Sequence, residues 1–219
     1  MTKIHAAVCH AFGEPLKIET VTLAAPTGRS IEVSLKACAI CHSDITYADG
    51  HWGGALPAIY GHEAAGVISA MGPDATGYEI GDRGIVTLIP SCGTCPTCSA
   101  GKPVICDRPT GPAPLTLSNG PPVTQAMYSG AFAEKVVVDQ SQMAPFPVAI
   151  AFDVASLLSC GVITGVGAVV NTANLQAGED VVVIGAGGVG LNAIQGAAIA
   201  GARRIVAVDL SQEKLDDAR

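Results

Sequence analysis

Cys92, Cys95, Cys98 and Cys106 stand in a Cys-x2-Cys-x2-Cys-x7-Cys pattern, and no other feature limits the folding of this chain so tightly. Four thiols with such short gaps, in a loop that also carries Gly93, Pro96, Gly101 and Pro103, can wrap one tetrahedral Zn²⁺ with no open position, the form of a structural site. The first three cysteines also suit an iron–sulfur cluster. That pattern, however, brings its fourth cysteine sooner and follows it with proline, whereas Cys106 comes late and precedes Asp107. Packed cysteines without metal are the third reading. The chain holds eight cysteines, yet its start, Met1 to His10, lacks the long apolar run of an export signal. A disulfide scaffold is therefore a poorer account than metal binding.

With 219 residues, 49% hydrophobic and 14% charged, the chain can bury one large or two small cores and is not of the disordered class. Its net charge is −7 and it has no basic run, which excludes a nucleic-acid partner. The stretch Val154 to Val170 has no charge, but a membrane span needs about 20 such residues and Gly161, Gly165 and Gly167 interrupt this one. It predicts a buried helix between two domains and no membrane partner.

The first ninety residues read as short β segments, at Ala6–Val8, Ile31–Ala37, Ala64–Ile68 and Gly84–Leu88, separated by glycines in the manner of an irregular β-barrel. Residues 107 to 130, rich in proline and glycine (Pro109, Gly111, Pro112, Pro114, Gly120, Pro121, Pro122, Gly130), predict a surface loop lining a cleft. Ala133–Val138 resumes a strand. From Asp180 the style changes. Val181–Ile184 is a continuous apolar run, the mark of a buried parallel strand. Gly185-Ala186-Gly187-Gly188-Val189-Gly190 follows, then a small-residue helix over Leu191–Ala200 closed by Gly201. A second buried strand covers Ile205–Val208, and Ser211 caps a further helix. This is a βαβ unit opening a doubly wound sheet, with backbone N–H groups and a helix N-terminus facing a dinucleotide pyrophosphate. Asp209 ends the second strand about 20 residues after the glycine pattern, where a carboxylate bonds the adenosine ribose and repels a 2′-phosphate; this favours NAD over NADP.

Cys41 in Cys41-His42-Ser43-Asp44, His62 in Gly61-His62-Glu63 and Cys160 in Ser159-Cys160-Gly161 are each unremarkable alone, since a lone Cys or His is more often packed core than ligand. Together they offer zinc three ligands and leave a fourth position open, which is catalytic geometry. With the cysteine quartet and the glycine pattern, the chain resembles the zinc-containing medium-chain alcohol dehydrogenases along essentially its whole length.

That resemblance implies a zinc-binding catalytic domain over 1–161, an irregular GroES-like β-barrel with a structural zinc lobe at about 90–107. The N-terminal part of a Rossmann domain follows over 162–219, so the fold class is α/β plus β. Cys41, His62 and Cys160 would hold the catalytic zinc, and Cys92, Cys95, Cys98 and Cys106 the structural one, two Zn²⁺ per chain. Glu63 would be the carboxylate that exchanges onto the metal, and Asp44 the one that orients the His62 ring. Ser43 would accept the substrate proton. His42 would touch the cofactor pyrophosphate held by Gly185, Gly187, Gly188, Val189 and Gly190, with Asp209 and Lys214 at the ribose of NAD. Zinc would acidify the alcohol and the cofactor would take its hydride.

One departure concerns the relay. The family's relay histidine is replaced by Thr46, which cannot act as a base near neutral pH, so the relay would end on His42, on water or on His51. Leu88 and Trp52 fall at family positions near the pocket and suggest an apolar alcohol. The absence of acidic residues directly beside Trp52 argues against a glutathione adduct, and Cys9 and Cys38 read as buried hydrophobes. The resemblance implies a cytoplasmic homodimer or homotetramer acting on a small alcohol or aldehyde. A polyol or aldehyde-reducing relative, or a zinc-stabilised module without catalysis, remain the alternatives. A dinucleotide site of this type uses two βαβαβ halves, so the full protein is expected to add roughly 100–150 residues, about one further domain.

Overall fold

Along the first strand Ile4, Ala6 and Val8 are buried while Lys3 and His5 are exposed, the two-residue period of a sheet with one wet face. The same logic builds the rest of the first unit in the computed structural model, which describes residues 1–108, 114–118 and 120–219. In chain order come β1 (Thr2–Cys9), β2 (Lys17–Leu23), β3 (Ser30–Ala39), α1 (His42–Ala48), β4 (Ala58–Ile59), β5 (Glu63–Met71) and β6 (Arg83–Val86). After these come α2 (Pro96–Ser99), β7 (Leu115–Leu117), β8 (Thr124–Gln125), β9 (Lys135–Asp139), β10 (Met143–Pro145) and α3 (Phe152–Ser156).

Two five-stranded sheets result, ordered β7-β2-β1-β4-β8 and β10-β6-β5-β3-β9. They are stitched together where Ala6 bridges Ala133, the Ala7 N–H donates to the Phe132 carbonyl and the Glu134 N–H donates to the His5 carbonyl. This is the irregular, nearly closed barrel that the spacing of short strands predicts. One apolar cluster gathers Val8, Val21, Ile59, Leu115 and Val123, and a second gathers Ile31, Val33, Ile68, Val86 and Val136. Each fully buried side chain of this size contributes about 1.5–3 kcal/mol, so these two clusters carry the unit.

The chain divides into two compact units, Met1–Ser159 and Cys160–Arg219. The second contains α4 (Gly161–Gly167), a π-helical turn over 168–172, β11 (Asp180–Ile184), α5 (Gly188–Ile199), β12 (Arg204–Val208) and α6 (Gln212–Asp217). β11 and β12 pair in parallel, with Val182 beside Val206 and Ile184 beside Val208. Glycine lets α4 and α5 approach closely: a Cβ on Gly165 would strike the Val189 carbonyl, and one on Gly196 would meet the Val166 Cα at 3.0 Å. The Ser211 hydroxyl accepts the Lys214 N–H at the start of α6, as a helix cap should.

Three expectations change. The loop predicted over 107–130 contains β7, β8 and a tight turn over 126–128, because Leu115 and Val123 are needed to fill the first cluster. Its Pro109, Gly111 and Pro112 lie outside the described residues. The single buried helix over Val154–Val170 is broken. α3 and a turn over 157–159 end at Ser159, Cys160 is non-helical (φ −144°, ψ −68°), and α4 starts at Gly161. Val154, Leu157, Ile163 and Val170 are also exposed. Finally, β11 and β12 are half-buried rather than buried, since α5 packs on one face and Val182, Ile184, Val206 and Val208 stand exposed on the other. Among the described residues no single helix is long and apolar enough to cross a membrane.

Candidate metal centres and nucleotide cradle

α1 starts directly after Cys41, which caps it in an extended conformation (φ −91°, ψ 153°). Cysteine is a poor cap, and the helix start is held from the other side by Asp44. Its Oδ2 accepts the Cys41 N–H at 2.9 Å, while its Oδ1 accepts the Gly61 N–H at 3.0 Å and lies 3.0 Å from His62 Nδ1. One carboxylate, 2% exposed, thus ties a helix start, a turn and an imidazole. Carboxylate contact puts the ring proton on Nδ1 and the lone pair on Nε2, the usual arrangement of a metal-bound histidine. Gly61 is required here: its φ is +92°, and a Cβ would meet the Phe132 backbone nitrogen at 2.6 Å. That turn delivers His62, 1% exposed, and Glu63, 5% exposed, at the mouth of β5.

The ligand atoms of Cys41, His62 and Glu63 all lie within 4.8 Å of one another. Two buried carboxylates and a thiol meet here, and among the described residues no lysine or arginine forms an ion pair with Asp44 or Glu63. Buried negative charge of this density calls for a cation, and thiol, imidazole and carboxylate suit Zn²⁺. Packed core residues would not need it. Cys160 opens the second unit, half-buried, with its Sγ 3.9 Å from the Thr164 hydroxyl.

Around this group, Ser43 is half-buried in the first turn of α1 and His42 is exposed beside it. The Thr46 hydroxyl donates to the His42 carbonyl, and the exposed His51 donates its backbone N–H to the Thr46 carbonyl. Trp52 is exposed, edge-on to Tyr47 at 5.0 Å, and Leu88 is half-buried. Cys9 is buried as expected, whereas Cys38 is half-buried, with its thiol pushed up to about 12 by burial.

The quartet is built differently. Its four sulfurs also lie within 4.8 Å of one another. A tetrahedron with Zn–S legs near 2.3 Å has edges of about 3.8 Å, and Cys95 Sγ sits 3.9 Å from Cys106 Sγ. Backbone N–H groups already point at the sulfurs: Cys95 N–H donates to Cys92 Sγ, Cys98 N–H to Cys95 Sγ, and Arg108 N–H to Cys106 Sγ. The Thr94 N–H, ahead of the Cys95 N–H, draws the Cys92 thiol down to about 6. Desolvation, and then the Cys95 sulfur beside it, push Cys98 up to about 12. The group fits zinc.

In the second unit, Gly185 leaves β11 with φ +95°, Gly187 caps α5, and a Cβ on Gly190 would strike the Gly185 carbonyl. The backbone therefore stays bare at the helix start, with Gly188 and Val189 exposed in its first turn, as a phosphate cradle requires. Asp209 is half-buried after β12. Its Oδ1 accepts the Ser211 N–H at 2.9 Å and its Oδ2 the Ala186 N–H at 2.8 Å, and these bonds hold its carboxyl below the usual range. Lys214 is exposed and adds a smaller pull on the same carboxylate.

Two details escaped the sequence: the triple use of Asp44 and the bond from Asp209 to the glycine loop. Cys-x-x-Asp at a helix start hinted at the first; no local signal gives the second.

Known proteins resemble the chain along almost its whole length. Residues 28–148 match the family model described as the alcohol dehydrogenase GroES-like domain. The chain is 37% identical to an alcohol dehydrogenase class-3 of Cereibacter sphaeroides, over 97% of this chain and 59% of the relative. It is 35% identical to an S-(hydroxymethyl)glutathione dehydrogenase of Paracoccus denitrificans, over 97% of this chain and 60% of the relative. Among solved structures, an alcohol dehydrogenase zinc-binding domain protein from Burkholderia ambifaria superposes with a TM-score of 0.93 at 32% identity, over 99% of this chain and 61% of that one. The chain thus spans about 60% of the length of the relatives it matches.

Proposed function

Because this chain belongs to the zinc-type medium-chain alcohol dehydrogenase family, we propose that it interconverts an alcohol and an aldehyde or ketone, with NAD as the hydride acceptor. The observation that carries the proposal is the buried Asp44, which holds the Cys41 backbone and the His62 ring at once beside Glu63. A purely structural module would need only the quartet.

In this reading Cys41, His62 and Cys160 hold the catalytic zinc, with Cys160 assigned from the sequence resemblance, and Glu63 is the neighbour able to exchange onto it. Cys92, Cys95, Cys98 and Cys106 hold the structural zinc. Zinc supplies Lewis acidity to the alcohol hydroxyl, and NAD supplies the redox step. Ser43 receives the substrate proton. Since the Thr46 hydroxyl is engaged within its own helix, the proton passes from Ser43 to His42 or to solvent. Gly185, Gly187, Gly188, Val189 and Gly190 take the pyrophosphate, with His42 contributing a cation. Both Asp209 oxygens already accept one N–H each, and a carboxylate oxygen has a second lone pair for a ribose hydroxyl. Lys214 approaches the same ribose. The catalytic unit is assigned to 1–161 and the nucleotide unit to 162–219. We place the protein in the cytoplasm as a homodimer or homotetramer; none of its eight cysteines is in a disulfide.

Trp52 and Leu88 make the substrate an apolar primary or secondary alcohol. The name of the Paracoccus relative offers a second reading, a glutathione adduct, although no acidic residue directly flanks Trp52 to serve it. NADH formation across apolar alcohols, polyols and S-(hydroxymethyl)glutathione separates the two. Turnover with the apolar alcohols supports the proposal. A preference for the glutathione adduct replaces its substrate, and no NAD-dependent turnover with any of them removes it.

A further inference from the structure

The quartet lobe is attached to the barrel in an unusual way. Among the described residues, the hydrogen bonds made by the side chains and backbone of 93–106 stay within 92–108. The ties to the barrel sit at the neck. There the Arg29 guanidinium donates from Nη1 to the Cys92 carbonyl at 2.9 Å, and the Ser91 N–H donates to the Ser141 hydroxyl at 2.8 Å.

Both partners are themselves fixed. Arg29 Nη2 lies 3.7 Å from Asp139 Oδ1, which also accepts the Ser141 N–H at 2.9 Å, and the Arg29 carbonyl accepts the Gln140 N–H at 3.1 Å. Gln142, 2% exposed, donates to the carbonyls of Thr87 and Tyr128 and so locks the same turn to the barrel. Arg29 therefore reaches from a rigid corner to the peptide of the first ligand. Cys92 Sγ accepts N–H bonds from Thr94 and Cys95, and the Cys92 N–H in turn donates to Cys106 Sγ. Tilting its peptide would move the Sγ on which the other three converge.

We propose that Arg29 is a positioning residue for the Cys92–Cys106 metal centre: by holding the Cys92 carbonyl it sets the first ligand and the angle of the lobe neck. The proposal rests on the reading of the quartet as a zinc site. Groups that orient ligands typically change metal affinity by about 10–100-fold when removed, and a guanidinium that faces the Cys92 carbonyl with Nη1 and Asp139 with Nη2 has no equivalent in lysine.

The test is competition for zinc between the full chain and a chromophoric chelator, in a Cys41→Ala background so that the quartet metal alone is read. Arg29→Ala should weaken zinc retention by about 10–100-fold, with circular dichroism of the barrel unchanged. Lys102→Ala removes a nearby exposed cation that makes none of these bonds and should match the parent. Should the alanine variant fail to fold, Arg29→Lys keeps a cation at the neck without the fork and should still lose retention measurably. Parent-like retention in Arg29→Ala or, in that event, Arg29→Lys would overturn the proposal, as would an equal loss in Lys102→Ala. A parent quartet that binds no zinc would overturn the metal reading itself.

Discussion

The two candidate metal centres are made from the same chemistry by opposite routes. The quartet draws its four sulfurs from one short loop, is aimed by backbone N–H groups of that loop, and is half-exposed at three of its four cysteines. The Cys41–His62–Glu63 group draws on a helix cap and a strand mouth, and a buried aspartate aims it. The first is a site that folds because it binds; the second is a site that binds because the barrel has folded. Closed coordination suits the first to holding shape, and pre-set ligands with room for another suit the second to chemistry.

The largest expected effect breaks the comparison most directly. Chelator strong enough to strip both centres should unravel the lobe but leave the barrel, because structural zinc contributes about 10–16 kcal/mol of apparent binding energy that is also local folding energy. Hydrogen exchange would read it, as rapid exchange over 92–108 beside protected β3 and β5. Uniform loss of protection in both would mean that the centres are not built in these two ways.

Next in size is Asp44→Asn. The variant keeps the shape but loses the charge facing His62 and one acceptor, so metal retention at Cys41–His62 should fall by about 10–100-fold while the quartet keeps its metal. Equilibrium dialysis against zinc would decide it, and coupled loss at both centres would contradict the separation.

Asp209 extends the contrast to a third assembled site, since its carboxylate reaches across to the Ala186 N–H of the glycine loop. Asp209→Gly should erode the preference for NAD over NADP and also loosen that loop. An unchanged ratio of kcat/KM for the two cofactors would remove Asp209 from the site.

The smallest effect is a control on the barrel. Glu32 is buried; burial acts to raise its pKa, but the Lys135 ammonium and the Ser69 hydroxyl together outweigh it and hold the carboxyl below its ordinary 4.5. A depressed carboxyl stabilises the fold above its unfolded value, so the contribution is complete at neutral pH and fades as pH drops below about 4.5 through the lowered value. Thermal midpoints of the parent and Glu32→Gln should converge over that acid range and differ by a constant amount above it. Convergence at neutral pH instead would show that the pair contributes nothing.

What could be read in advance follows the same division. The quartet, the glycine pattern and the Ser211 cap are local, and spacing alone carried them. The strands at Ile31–Ala37 and Ala64–Ile68 were legible because their apolar residues cluster, although the structure extends both. The helix at His42–Ala48 was not, because Ile45, Thr46 and Tyr47 are β formers and the capping bond that overrides them depends on Asp44 being held by Gly61 and His62. β7 was hidden among prolines and glycines because its partner β2 lies far away in sequence. The break at Cys160 was hidden inside an uncharged run, where hydrophobicity says nothing about direction.

The central claim, two zinc centres of different kind in one chain, is tested most directly by counting zinc in purified protein by elemental analysis, in the parent, in Cys41→Ala and in Cys98→Ala. The account predicts two zinc ions in the parent and one in each variant. Cys41→Ala should keep its circular dichroism and the exchange protection of the lobe, and Cys98→Ala should lose the protection of 92–108 alone. One zinc in the parent, or loss of both ions with the fold in Cys41→Ala, would contradict it.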